Sequence, residues 1–192
     1  MTTFVDPRTA RTRAVVLAAA AELLSEEGLE RVTIDAIAER SGVARSTIYR
    51  HWPERHRLFI EAFEQVCELP SPPDTGTLDG DLRGLATALA SGLTEEIWGR
   101  SLPALVGAAS HDDDIRAAQR DFNAHRRAMT RTVFERAVQR GEIDDTHDLD
   151  TAVIRFVGPF FFAQLVAHIA LDAAFIDHMV QATMAELTSN SQ

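Results

Sequence analysis

Arg45, Ser46, Thr47 and Tyr49 crowd hydrogen-bond donors into five consecutive positions, with His51 and Arg55 close behind. A guanidinium can donate two parallel hydrogen bonds to guanine O6 and N7, and hydroxyls can reach base edges or phosphate. Arg or His beside the free backbone N–H groups of a helix start can hold phosphate. Residues 40–57 hold Arg40, Arg45, Arg50, Arg55 and Arg57 against Glu54 alone, whereas the whole chain carries a net charge of −10. A short basic segment on an acidic body is the pattern of localised nucleic-acid binding. A merely solvated charged surface gives the same pattern from charge alone.

Other chemistry fares less well. All 19 basic residues are arginine, which excludes a P-loop lysine and a Schiff-base lysine. No Ser/His/Asp order, CxxC pair or glycine-rich phosphate loop is present, so no catalytic residue is expected. His111-Asp112-Asp113-Asp114 suggests a metal, but consecutive helical residues point in different directions. An N-cap followed by first-turn acids explains it, and neither a metal site nor a cofactor is expected. Cys67 stands alone, so no internal disulfide forms, which fits a reducing cytosol. It lies on the Phe59/Phe63 side of its helix and reads as core.

The elements that position the donors are helical. Leu17, Ala20, Ala21 and Leu24 form one face at helical spacing, and Gly28 reads as a C-terminal cap. Thr33 reads as an N-cap for a helix carrying Ile34, Ile37 and Ala38, which Ser41-Gly42 ends. A short helix follows over about 44–50, then a fourth with Pro53 in its first turn and Phe59, Ala62, Phe63 and Val66 on one side. Two short helices meeting at Gly42, packed through Ile37, Ala38, Val43 and Ile48, make a helix-turn-helix whose second helix can enter the major groove. Arg45, Ser46, Thr47 and Tyr49 lie on its outward face.

Pro70 to Thr77 is the clearest linker. Beyond it the pattern predicts helices near 78–98, from Ser101 with Pro103 in the first turn, over 112–140 ending at Gly141, near 149–171 after an acidic loop, and over 173–187. The fold class is all-α with about nine helices, divided at residue 60 into a DNA-binding domain (1–60) and a second helical domain (61–192). The polar start, residues 1–13, is unlike a signal peptide. The apolar stretch 156–171 is broken by Gly158, Pro159, Gln164 and His168, so a soluble chain is expected.

The segment 33–52 resembles the N-terminal domain of the TetR (tetracycline-repressor) family, whose pattern runs T-x-x-x-I-A-x-x-A-G-V-(S/A)-x-x-T-(I/L)-Y-x-H-(F/W). Thr33, Ile37, Ala38, Gly42, Val43, Thr47, Ile48, Tyr49, His51 and Trp52 fall in register. Ser41 stands for the usual Ala, and Arg55 where the family often has Lys, which keeps the charge for phosphate. More weakly, Gly141-Glu-Ile with its acidic loop, then Val157-Gly-Pro-Phe-Phe-Phe162, looks like a C-terminal subtype of the family.

The resemblance implies a cytoplasmic homodimer that binds a palindromic double-stranded DNA operator and is released by a small molecule, with residues 61–192 as the effector-binding and dimerisation domain. Activation in place of repression stays open. DNA contacts are expected from Thr33, Arg45, Ser46, Thr47, Tyr49, His51 and Arg55. Trp98, Leu105, Phe122, His125 and Phe160 are candidates to line an effector site for a largely apolar ligand, with His125 and Gln164 as polar handles. Ordinary core is the competing reading for each of the five. Ile154, Val157, Phe161, Leu165 and His168 form one stripe, and Ile176, Val180, Thr183 and Leu187 another. Val153, Phe156, Phe160 and Phe175 make the opposite faces apolar too, so a second copy is expected to cover one side, the alternative being cover by the 112–140 helix of the same chain. The rival class, a helical enzyme or ligand carrier whose basic patch binds something else, has no catalytic motif to support it.

Overall fold

The computed structural model describes residues 7–27, 32–66, 71–95 and 97–188, apart from the side chains at positions 7, 55, 56, 64–66, 97, 98 and 118. Gly28 and Cys67 lie outside the described residues. Nine α-helices are present among them and no strand: α1 (Pro7–Glu27), α2 (Ile34–Ser41), α3 (Arg45–His51), α4 (Arg55–Val66), α5 (Leu78–Thr94), α6 (Ile97–Ala109), α7 (Asp113–Gln139), α8 (Leu149–Phe162) and α9 (Ala173–Thr188). A π-helical turn, Ala163–Ala167, extends α8.

The chain forms two compact units, Met1–Glu68 with Ile97–Arg120, and Leu69–Glu96 with Asp121–Gln192. The segment 1–60 is thus part of a larger unit, because α6 returns to pack against α1 and α4. In the first unit Val16, Leu17, Ala20 and Leu24 of α1 meet Ile34 and Ile37 of α2, Ile48 and Trp52 around α3, and Leu58, Phe59 and Ala62 of α4. Truncating a fully buried member such as Ile48 to Ala would cost about 2–5 kcal/mol.

In the second unit α5, α8 and α9 pack on one another. Val153, Phe156 and Phe160 face inward, and Phe160 meets the Phe175 ring edge-on at 5.2 Å. Polar contacts fix the loop before α5. The fully buried Asp81 carboxylate accepts from Thr75 N (2.6 Å) and Thr75 Oγ1 (2.8 Å) and lies 3.2 Å from Arg140 Nη2. Glu142 accepts from Leu78 N at 2.6 Å. A buried carboxylate is tolerated because both its oxygens have donors, one of them a guanidinium.

Several boundaries differ from those read in the sequence. Pro53 sits in a bend before α4, whose first residue is Arg55. The fixed φ of proline suits that bend as well as a first turn. The helix predicted over 78–98 ends at Thr94, and α6 begins at Ile97, so Pro103 lies inside it. No Gly or Pro lies between Thr94 and Trp98, and Glu95-Glu96 alone interrupts the apolar pattern there. The helix expected to reach residue 171 ends in the π-turn, capped by His168 with φ 52°. α7 ends as expected, with Gly141 at φ 73° and Glu142 N donating to Ala137 O, a Schellman closure. Asp112 caps α7, accepting from Asp114 N and Ile115 N.

Candidate nucleic-acid interface

Thr33 has extended backbone (φ −116°, ψ 156°), and its Oγ1 accepts from Ala36 N at 3.1 Å, which starts α2. α2 stops at Gly42, where φ is +68°. A Cβ there would meet nothing within 4 Å, so the backbone conformation and not lack of space calls for glycine. Ser41 Oγ accepts from Val43 N at 3.2 Å and tightens the turn. α3 then begins with Thr47 N and Ile48 N donating to Ala44 O. Ile48 is its one fully buried side chain, and Trp52 N closes the helix on Ile48 O at 2.8 Å.

With Ile48 turned inward, Arg45, Ser46, Tyr49 and Arg50 are exposed, and Thr47 and His51 are half-buried. Tyr49 is 52% exposed, which leaves its ring and hydroxyl open to a partner. The His51 ring lies edge-on to Trp52 at 5.8 Å. The seven expected DNA contacts are therefore not equivalent. Thr33 is exposed but its hydroxyl is engaged in capping. Arg55 opens α4, with its side chain outside the described set.

The basic segment is partly engaged from within. Arg40 pairs with Glu26 (2.9 Å) and Glu22 (3.5 Å) of α1, which raises the arginine pKa and lowers that of Glu26. Arg57 pairs with Glu54 at 3.0 Å. Arg45 Nε lies 2.8 Å from Asp35 Oδ1.

Sequence reasoning missed the support behind α3. Trp52 Nε1 donates to Glu61 Oε2 at 2.9 Å, and Arg13 pairs with the same oxygen. The Arg13 guanidinium also lies 4.6 Å from the centre of the Trp52 ring. One carboxylate thus joins α1, the end of α3 and α4. The only advance signal was an indole where a plain aromatic would fill the core, since a buried indole N–H needs an acceptor.

The expected effector residues divide between the two units. Leu105 is buried in the first unit, and the side chain of Trp98 is outside the described set. Phe122, half-buried with the Arg126 guanidinium 5.6 Å from its ring centre, belongs to the second unit, as does the exposed His125. Phe160 is fully buried among Phe156 and Phe175 and serves as core there.

The two dimer stripes also divide. Ile154 and His168 are exposed, and Val157, Phe161, Leu165 and Ile176 are half-buried. Val180 and Leu187 are buried within their own chain, so they belong to its core and not to an open face. Exposed apolar area continues instead through Phe162 (60% exposed), Val166 (64%) and Ile169. A Cβ at Gly158, one turn after Ile154, would meet nothing within 4 Å. Residues 149–167 form a run long and apolar enough by length and composition to cross a membrane, and 28% of it is buried within the chain.

The profile described as "Bacterial regulatory proteins, tetR family" matches residues 16–62, and "Tetracyclin repressor-like, C-terminal domain" matches residues 72–183. The HTH-type transcriptional regulator YdeS of Bacillus subtilis (strain 168) is 31% identical over 176 residues, 91% of this chain and 88% of that protein. AqdR of Rhodococcus erythropolis, also an HTH-type transcriptional regulator, is 30% identical over 79% of this chain and 73% of its own length. The crystal structure of the TetR family transcription regulator SCO0332 superposes with a TM-score of 0.76 at 32% identity, covering 91% of this chain and 97% of that one. The helix-turn-helix of 33–52 lies within the first match and the apolar α8 within the second, so this chain belongs to the TetR family of DNA-binding transcriptional regulators.

Proposed function

We propose that the protein is a cytoplasmic homodimeric repressor that reads a palindromic double-stranded DNA operator through α3 and is released by a largely apolar small molecule. The observation that carries DNA reading is the two-sidedness of α3: Ile48 is locked into the core while Arg45, Ser46 and Tyr49 stand in solvent. Residues 1–60 act as the reader, and residues 61–192 carry effector binding and dimerisation. The function is binding rather than catalysis, in keeping with relatives named as transcriptional regulators.

Dimerisation is supported by the face of α8 and the π-turn that holds Ile154, Phe162, Val166 and Ile169 in solvent, with Phe161 and Leu165 between them. A second copy related by a two-fold axis would cover this stripe with its own. An obligate interface of that kind buries on the order of 2,000 Å² in total. It would also fix two α3 helices at a set spacing, as a palindrome requires. Trp98, Leu105, Phe122 and His125 remain the proposed effector contacts, whereas Phe160, fully buried beside Phe156 and Phe175, serves as core. Ligand binding would favour a dimer shape whose α3 spacing no longer matches the groove.

Selection of bound fragments from random duplex DNA tests the reading and yields the operator. On that operator, Arg45→Ala and Tyr49→Ala are each expected to cost about 1–3 kcal/mol of binding while the fold persists. Arg55→Ala weakens binding to all sequences and lowers the salt slope by roughly one. Unchanged affinity in both α3 variants would remove α3 from the interface.

A further inference from the structure

Asp35 is the second residue of α2 and Arg45 the first of α3, and their side chains meet with Nε 2.8 Å from Oδ1 although both are exposed. An exposed ion pair adds little to stability. An acid beside the DNA-reading helix also repels phosphate, so it lowers affinity for any duplex. The first turn of α2 favours an acid through the helix dipole, and the contact with Arg45 gives this acid a second effect.

That second effect is on the freedom of Arg45. A free arginine side chain samples many rotamers and can swing from a base edge to a neighbouring phosphate. The closest approach of the guanidinium to Asp35 Oδ1 is from Nε, and the terminal Nη1 and Nη2 lie farther from that oxygen. Those two terminal nitrogens form the fork that matches guanine O6 and N7. The N-terminal residues of a recognition helix are the ones that meet base edges, and Arg45 holds the first position of α3. A side chain held in place loses less freedom on binding, and the nearby carboxylate disfavours the swing toward phosphate.

We infer that Asp35 is a specificity-determining positioning residue, which aims the Arg45 fork at a guanine and holds down binding to non-operator DNA. This rests on the reading of Arg45 as a base contact, and the test separates the two.

Binding profiles are measured for the full-length protein, Asp35→Asn, Arg45→Ala and the double variant. The probes are the selected operator, its single-base variants and random-sequence duplex, with thermal unfolding in parallel. In Asp35→Asn, preference for the guanine that Arg45→Ala also ceases to prefer should fall about tenfold. Affinity for random duplex should rise, unfolding should stay unchanged, and the double variant should discriminate no less than Arg45→Ala. A purely structural role would not raise affinity for random DNA. An Asp35→Asn profile identical to wild type, beside a lost guanine preference in Arg45→Ala, overturns the inference about Asp35 alone. Loss of a cytosine preference with the guanine preference intact would make Asp35 a direct reader and likewise overturn the positioning role. An unaltered profile in Arg45→Ala overturns the base contact and, with it, the inference.

Discussion

α3 and α8 both hold large side chains in solvent, but of opposite kinds. α3 buries Ile48 and exposes Arg45, Ser46 and Tyr49. α8 buries Val153, Phe156 and Phe160 and exposes Ile154 and Phe162. A polar exposed face costs nothing in water, so α3 can wait unpartnered for DNA. An apolar exposed face this long favours permanent cover. The contrast points to two kinds of partner: one met and released, and one, a second copy, kept.

The largest effect should come from breaking that permanent contact. Phe162→Glu leaves the single chain's core intact, because Phe162 is 60% exposed there. Sedimentation at micromolar concentration should then show a species near the 21.2 kDa chain mass, against twice that for wild type. Operator affinity should fall about a hundredfold or more, because two linked half-site contacts become one. The control is Phe160→Glu, two residues away on the opposite side of α8 and fully buried, which should unfold the second unit. A Phe162→Glu variant that stays dimeric would move the interface off this face.

Legibility followed the same contrast. The helix-turn-helix could be read residue by residue because its backbone demands particular types. Gly42 is needed for φ +68°, Thr33 for the orphan N–H of Ala36, and Ile48 for the inward side of a seven-residue helix. In the second unit only periodicity was available. Periodicity shows that a face is apolar but not which atoms cover it. Val180 and Leu187 therefore looked like interface residues and are core. Phe162 and Val166, one position away from the stripe through Phe161 and Leu165, carry the open area instead. The partners of polar groups were equally hidden. Asp35 with Arg45, Asp81 with Arg140, and Glu61 with both Arg13 and Trp52 are 10, 59, 48 and 9 residues apart. No local rule joins residues at such separations.

An intermediate effect is expected behind α3. Trp52→Phe keeps an aromatic in the core but removes the N–H that Glu61 accepts. Stability of the first unit should fall by about 1–3 kcal/mol, as for a hydrogen bond to a charged group. Glu61→Gln keeps an acceptor for the indole and removes the charge facing Arg13. It should therefore cost less than Trp52→Phe in denaturant titration. The reverse order would assign the support of α3 to the ion pair and not to the indole.

The smallest difference should lie between the caps of α2 and α8, which do the same task with different groups. Thr33 Oγ1 accepts from Ala36 N, whereas Asp148 accepts from Asp150 N (3.1 Å), Thr151 N (3.4 Å) and Thr151 Oγ1 (2.6 Å). The hydrogen bond from the Thr151 side chain, followed by that from its backbone, lowers the Asp148 pKa below its ordinary 3.8. A carboxyl whose pKa is lowered on folding stabilises the folded state above its unfolded value, and the contribution fades as pH falls through the folded one. A hydroxyl has no such dependence. Thr33→Ala should cost about 1 kcal/mol at any pH at which the protein is folded. Asp148→Ala should lower the denaturation midpoint at pH 7 and lower it progressively less as pH drops below 3.8. Parallel midpoints at pH 7 and at about pH 3 check this, and a constant Asp148→Ala penalty would mean that the α8 cap works as a neutral acceptor rather than as a charge at the helix start.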